Sequence, residues 1–265
     1  MRKILIAALA VFLVTAPRAA EGAPVKNPAG PDMLKADKYI DVGDNYAFFT
    51  DTAFNYVAEK EFAVEGDSFE MTSVPTRIGL AFGETAQVYG IIGGARAIQS
   101  FDIGVNKIEY TTEWDLQWGV GGSAILYQRE LDLFGGSILY IGIDGNITWF
   151  DPTIDEIVAN GTTFARNAAG VSNLAYDIRE FQAALGVGLA FERFIPYIGL
   201  KLSDVNGKAN ATVSGTDFIV DRMELDKKIG FYAGFDFIIT ERLSFNFEGR
   251  FFDETAFSVS LRIRY

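Results

Sequence analysis

The charged side chains of this chain fall at alternate positions along apolar ribbons. In "RLSFNFEGRFF" the polar positions are Asn246, Glu248 and Arg250, and in "FSVSLRIRY" Arg262 and Arg264 repeat the spacing. Side chains two apart on an extended strand share one face. Arg77, Arg96, Asp115, Asp144, Glu180 and Asp236 occupy the same polar phase of other ribbons. Carboxylates and guanidinium groups gathered on one inner face can tune the passage of ions. They can also pair off into a plug of salt bridges. Two carboxylates such as Glu180 and Asp236 could exchange a proton as acid and base. The chain has no His and no Cys, so it lacks the common base near neutral pH, the commonest metal ligand and the thiolate. No catalytic residue, metal site or cofactor is expected, and the polar rows read as a lumen lining of a protein that is not an enzyme.

A strand must position each row. Hydrophobic residues make up 49% of the chain, yet the mean hydropathy is only +0.15, so apolar and polar residues interleave. Period-2 alternation starts near Ala53 and recurs in about ten stretches. Several run longer than a globular strand of about 5–6 residues and match the roughly 9–11 residues of a tilted membrane strand. Short connections such as "GET", "ERF" and "TER" alternate with long polar ones at residues 99–113, 151–177 and 204–228. That rhythm predicts an all-β fold: a transmembrane antiparallel up-and-down β-barrel of about ten strands, with eight and twelve left open. Segments 103–110 and 211–220 read as extra strands or loop hairpins. Trp114, Trp149, Phe191, Phe251, Phe257 and Tyr265, at strand ends, suit interfacial girdles.

The opening "MRKILIAALAVFLVTAPRAAEGA" has a basic start, an apolar run too short to span a bilayer and small residues after it. It predicts a secretory signal peptide at residues 1–23. Residues 24–52 then form a Pro-bearing periplasmic lead-in and residues 53–265 the barrel. A formal charge of −12 without a basic cluster excludes nucleic acid as a partner. The expected setting is the bacterial outer membrane, and the expected partners are its lipid and small solutes. An oligomer is compatible with the pattern, and a soluble exported β-domain is the alternative to a barrel.

Three stretches resemble the chlamydial major outer membrane protein family. "PVKNPAGPDML" is similar to the start of its mature members, "VAEKEF" (Val57–Phe62) to its first strand, and "LSFNFEGRFFDETAFSVSLRIRY" to its closing hairpin. The resemblance implies a porin-like outer-membrane barrel. It also implies that the terminal row Phe257, Val259, Leu261, Ile263 and Tyr265 is read by the barrel-assembly machinery. The family is cysteine-rich and longer, so its disulfide cross-linking does not carry over.

Two functions follow from the polar face. One is narrow, weakly selective diffusion of small solutes. The other is a closed structural or surface-binding barrel acting through its extracellular loops, because a barrel's bore falls with strand number and about eight strands are filled by side chains. Gly119, Gly121 and Ser123, with Gly186 and Gly188, either leave inner space for water or ease the bend of a small barrel.

Overall fold

The computed structural model describes residues 26–28, 46–62, 68–83, 85–103, 106–132, 136–213, 215–223 and 225–265. The expected signal peptide lies outside them. Among the described residues fourteen strands form one antiparallel sheet. They are β1 (Tyr46–Glu61), β2 (Ser68–Phe82), β3 (Ala86–Ile103), β4 (Asn106–Thr112), β5 (Asp115–Leu131), β6 (Ser137–Phe150) and β7 (Ile154–Ala159). After them come β8 (Thr162–Ala165), β9 (Val171–Ala190), β10 (Phe194–Val213), β11 (Thr216–Met223), β12 (Ile229–Thr240), β13 (Leu243–Phe251) and β14 (Glu254–Arg264).

Ten of these close on themselves in the order β1, β2, β3, β5, β6, β9, β10, β12, β13, β14. The seam is β1 against β14, running from Phe49 opposite Arg264 to Lys60 opposite Glu254. Closure pairs the last strand with the first and leaves no sheet edge around the wall.

The wall keeps the alternation. Phe54, Leu80, Trp118, Leu200, Phe237 and Leu261 are exposed on its outer face, an apolar belt suited to the hydrocarbon of a bilayer. Trp118 and Trp149 stack on that face with ring centroids 4.4 Å apart. The inner face is polar. Among the described residues, buried Lys26, Lys60, Arg77, Lys201, Arg250 and Arg262 face buried Asp51, Asp144, Glu180, Asp236, Glu248, Asp253 and Glu254.

The barrel starts earlier than the alternation predicts, at Tyr46 instead of Ala53. Phe49 breaks the period because it points inward, under the Arg262 guanidinium at 3.7 Å from its ring centre. The two ends of the barrel differ. One carries the short turns, such as residues 191–193 and 241–242. The other carries a lobe. There β3 runs past the barrel and pairs with β4, which pairs with β7, and β7 with β8. Opposite them, β9 and β10 extend together and β11 pairs with β10. The inward sides of these extensions form an apolar core, with Tyr110, Ile157, Phe69, Ile178, Ala209 and Met223 all buried. Segments 103–110 and 211–220 thus contribute β4 and β11 to a cap of two packed sheet extensions over the barrel mouth.

Candidate functional site: the filled lumen

The inward residues divide into three levels. Towards the short-turn end, inward tyrosines fill the section. Tyr140 lies over Gly188, directly opposite it in register. A β-carbon on Gly188 would collide with the Tyr140 ring and hydroxyl, and one on Gly121 with Tyr89. These inward glycines therefore admit tyrosine rings, not water. A β-carbon on Gly119 would meet the Thr148 side chain, and one on Gly186 would meet Tyr232 and Pro28. Tyr89 donates to Asp144 Oδ2 at 2.7 Å, and the Arg77 guanidinium lies 4.4 Å from the centre of its ring. Arg262 donates to Gln87 Oε1 at 2.7 Å, and Gln87 to Ser123 Oγ at 2.7 Å.

Into this level comes the lead-in. Lys26 Nζ pairs with Asp51 at 2.5 Å. Asn27 Nδ2 donates to Asp236 Oδ2 at 2.6 Å, and its Oδ1 accepts from the Tyr140 hydroxyl at 2.7 Å. Three residues expected in a periplasmic lead-in thus sit inside the barrel.

The middle level is a charge network. Asn246 donates to Asp236 at 3.0 Å and to the Tyr197 hydroxyl at 2.8 Å, and Tyr197 donates to Glu248 at 3.3 Å. Arg250 donates to Glu248 at 3.3 Å, to Glu254 at 2.6 Å and to Asn55 Oδ1 at 2.6 Å. Lys60 bridges Glu254 at 3.3 Å and Glu180 at 2.9 Å. Lys201 pairs with Asp253 at 2.9 Å and with Glu254. The apolar core of the cap forms the third level above.

The structure places Arg77, Asp144, Glu180, Asp236, Glu248, Arg250 and Arg262 in this lumen, all buried. Arg264 shares the inward phase of Arg262 but is half-exposed at the short-turn end. Two expectations are corrected. Arg96 is exposed on the outward phase of β3, with its Nε donating to the Thr112 carbonyl at 3.0 Å. Its neighbours Ala95 and Ala97 face the apolar cap, where an inward guanidinium would be stranded. Asp115 stands at the rim, half-buried, with its carboxylate accepting from the backbone amides of Leu116 at 2.8 Å and Thr153 at 3.3 Å. It caps a loop instead of lining a bore. Phe257, Val259, Leu261, Ile263 and Tyr265 lie on the outward phase of the last strand.

Reading alternation alone misses Lys60, Asp253 and Glu254. A bulge between Val57 and Glu59 resets the phase of β1 and turns Lys60 inward. Phe252 adopts φ 84°, which throws its ring outward, while Asp253 and Glu254 after it are both buried. Lys201, by contrast, sits on the polar phase of its strand, and that phase could have found it.

Outside the wall, burial and the neighbouring Asp177 carboxylate push Asp151 above the ordinary carboxylate range. Such a group holds its proton more tightly in the folded chain, so its contribution to stability falls as pH rises through that raised range. Asp151→Asn is expected to remove this dependence and to raise the melting temperature at neutral pH. Thermal scans in detergent at pH 4–8 check it, and an unchanged or lower melting temperature at neutral pH contradicts it.

No protein-family model and no curated protein matches the chain. Several solved barrel structures do. The transport unit of the autotransporter AIDA-I from Escherichia coli is 10% identical, with 85% of this chain and 91% of that one covered at a TM-score of 0.42. The outer-membrane protease OmpT from Escherichia coli is 7% identical, with 83% and 96% covered at 0.41. An outer-membrane channel from Pseudomonas putida F1 is 10% identical, with 88% and 100% covered at 0.39.

Proposed function

We propose that this chain is a closed barrel of the bacterial outer membrane, anchored by lipid around its belt and acting through the lobe at its mouth. The observation that carries the reading is the lumen. It is occupied at successive heights by the strap and tyrosines, by the ion network and by the apolar cap. The short turns face the periplasm and the lobe faces outside, as the length asymmetry of barrel loops favours. A cysteine-free chain makes the test clean. Asn160→Cys at the β7–β8 turn should react with a membrane-impermeant maleimide on intact cells. Labelling only after the outer membrane is broken overturns the orientation.

Narrow, weakly selective diffusion of small solutes is the second reading. It is favoured by buried Ser258 Oγ, Ser260 Oγ and Asn146 Oδ1, which have no hydrogen-bond partner among the described residues and would hold water. Proteoliposome swelling separates the two readings. Sealed barrels leave swelling in isotonic small sugars at the rate of protein-free vesicles, whereas a passage raises it in proportion to protein.

Kinship with the chlamydial major outer membrane protein family is part of the proposal, resting on "PVKNPAGPDML", "VAEKEF" and the closing hairpin. Recognition by the barrel-assembly machinery is too. Tyr265 donates its backbone amide to the Phe48 carbonyl at 3.0 Å, and its ring lies 5.5 Å from that of Phe48. Deleting Tyr265 is expected to lower the assembled fraction in cells severalfold while leaving detergent refolding nearly intact. Equal losses in both assays would make its role purely structural.

A further inference from the structure

We infer that the pocket holding Lys26, Asn27 and Pro28 is a peptide-binding site, occupied here by the chain's own strap and able to take a second peptide with the same Lys-Asn-Pro order. Four strands converge to read this tripeptide. Asp51 on β1 takes the ammonium at 2.5 Å. The Asn27 amide is read on both sides, by Asp236 on β12 as acceptor and Tyr140 on β6 as donor. Pro28 lies against Gly186 on β9, so closely that a β-carbon there would come within 3.1 Å of the ring. Two-sided reading of an amide is selective. An aspartate has no donor for Asp236 and would set two carboxylates against each other.

The pocket does not depend on its occupant for all its pairing. Asp236 also accepts from Asn246 at 3.0 Å. Asp51 also feels the Arg262 and Arg77 guanidinium groups. Emptied, Asp236 keeps its bond from Asn246 and Asp51 keeps two cationic groups in its surroundings, so the charge complementarity of the site persists for a ligand from outside. The strap is separated from β1 along the chain by residues 29–45, a length whose extended reach is about 60 Å. It is therefore a tethered ligand that competes through a high effective concentration. The site lies nearer the short-turn end than the cap, so in the proposed orientation its ligand is a cationic, proline-bearing peptide segment presented from the periplasm. The inference does not require a conducting or a closed lumen.

The probe is a fluorophore-labelled "PVKNPAGP" peptide, and its control is "PVKDPAGP". The receptor is the full mature chain folded in detergent, as wild type and as Lys26→Ala/Asn27→Ala, whose own strap is weakened. By anisotropy, the double variant is expected to bind the probe at least about tenfold more tightly than wild type and the Asp control at least about tenfold more weakly than the probe. Absence of binding by the folded double variant, equal binding by both chains, or equal affinity for the two peptides each overturns the proposal. If the double variant does not fold, the contest is read in Lys26→Cys, the one thiol in its chain. Excess unlabelled probe peptide is then expected to speed maleimide labelling at least about fivefold while the control leaves it unchanged, as displacement of a tethered ligand requires. Equal rates with both peptides overturn the proposal.

Discussion

Lys201→Met is expected to destabilise the barrel by about 3–5 kcal/mol, the cost of stranding a buried charge. Lys201 is fully buried and pairs with Asp253 at 2.9 Å and with Glu254. Glu254 would keep Lys60 and Arg250. Asp253 would keep only the Ser203 hydroxyl, at 3.0 Å, among the partners described for it. An uncompensated carboxylate at that depth bears the full cost of its burial. The companion variant Lys201→Met/Asp253→Asn removes the stranded charge and should recover most of the loss, because replacing both partners of a buried pair is far cheaper than removing one. Urea titrations in detergent or lipid, followed by tryptophan emission, measure both. A single variant as stable as wild type would mean that water reaches Asp253, and the ion network would then not be a dry plug.

Gly188→Val should cost about 3 kcal/mol, at the upper end of overpacking penalties. The side chain would enter the space of the Tyr140 ring, and that ring cannot leave without surrendering its hydrogen bond to Asn27. The same variant should loosen the strap. Combining it with Tyr140→Ala should return part of the stability, since the smaller residue vacates the volume. If Gly188→Val alone folds with unchanged stability, the glycine serves curvature and the tyrosine packing above it is incidental.

The wall was legible in the sequence for a physical reason. Period-2 alternation over long stretches has one stable solution in lipid, and a slip by one residue would put every charged side chain of β13 and β14 into hydrocarbon. The ten strands and the inward placement of Arg77, Asp144 and Arg250 follow from that. Where the environment changes with height, alternation misleads. Arg96 has the right type for a lumen, but it sits at the level where the interior has become apolar around Ala95 and Ala97. Lys60 has the wrong phase until the bulge at Val57/Glu59 is known, and Asp253 with Glu254 requires the positive φ of Phe252. Such local breaks are set by the partners they reach across the barrel, and no window of neighbouring residues contains those partners. The strap escapes pattern reading altogether, because "KNP" carries no period and gains its meaning from Asp51, Tyr140 and Asp236 on three strands. The glycines show the same limit. Gly121 and Gly188 announce space, and only the fold says that Tyr89 and Tyr140 fill it.

The most direct test of a sealed lumen is single-channel recording of the refolded mature chain in a planar bilayer. Protein whose folding is confirmed by gel mobility and protease resistance should give no discrete current steps in 1 M KCl. Steps that scale with salt concentration would contradict the closed barrel and make Asp51, Arg77 and Arg262 the residues to reverse in charge.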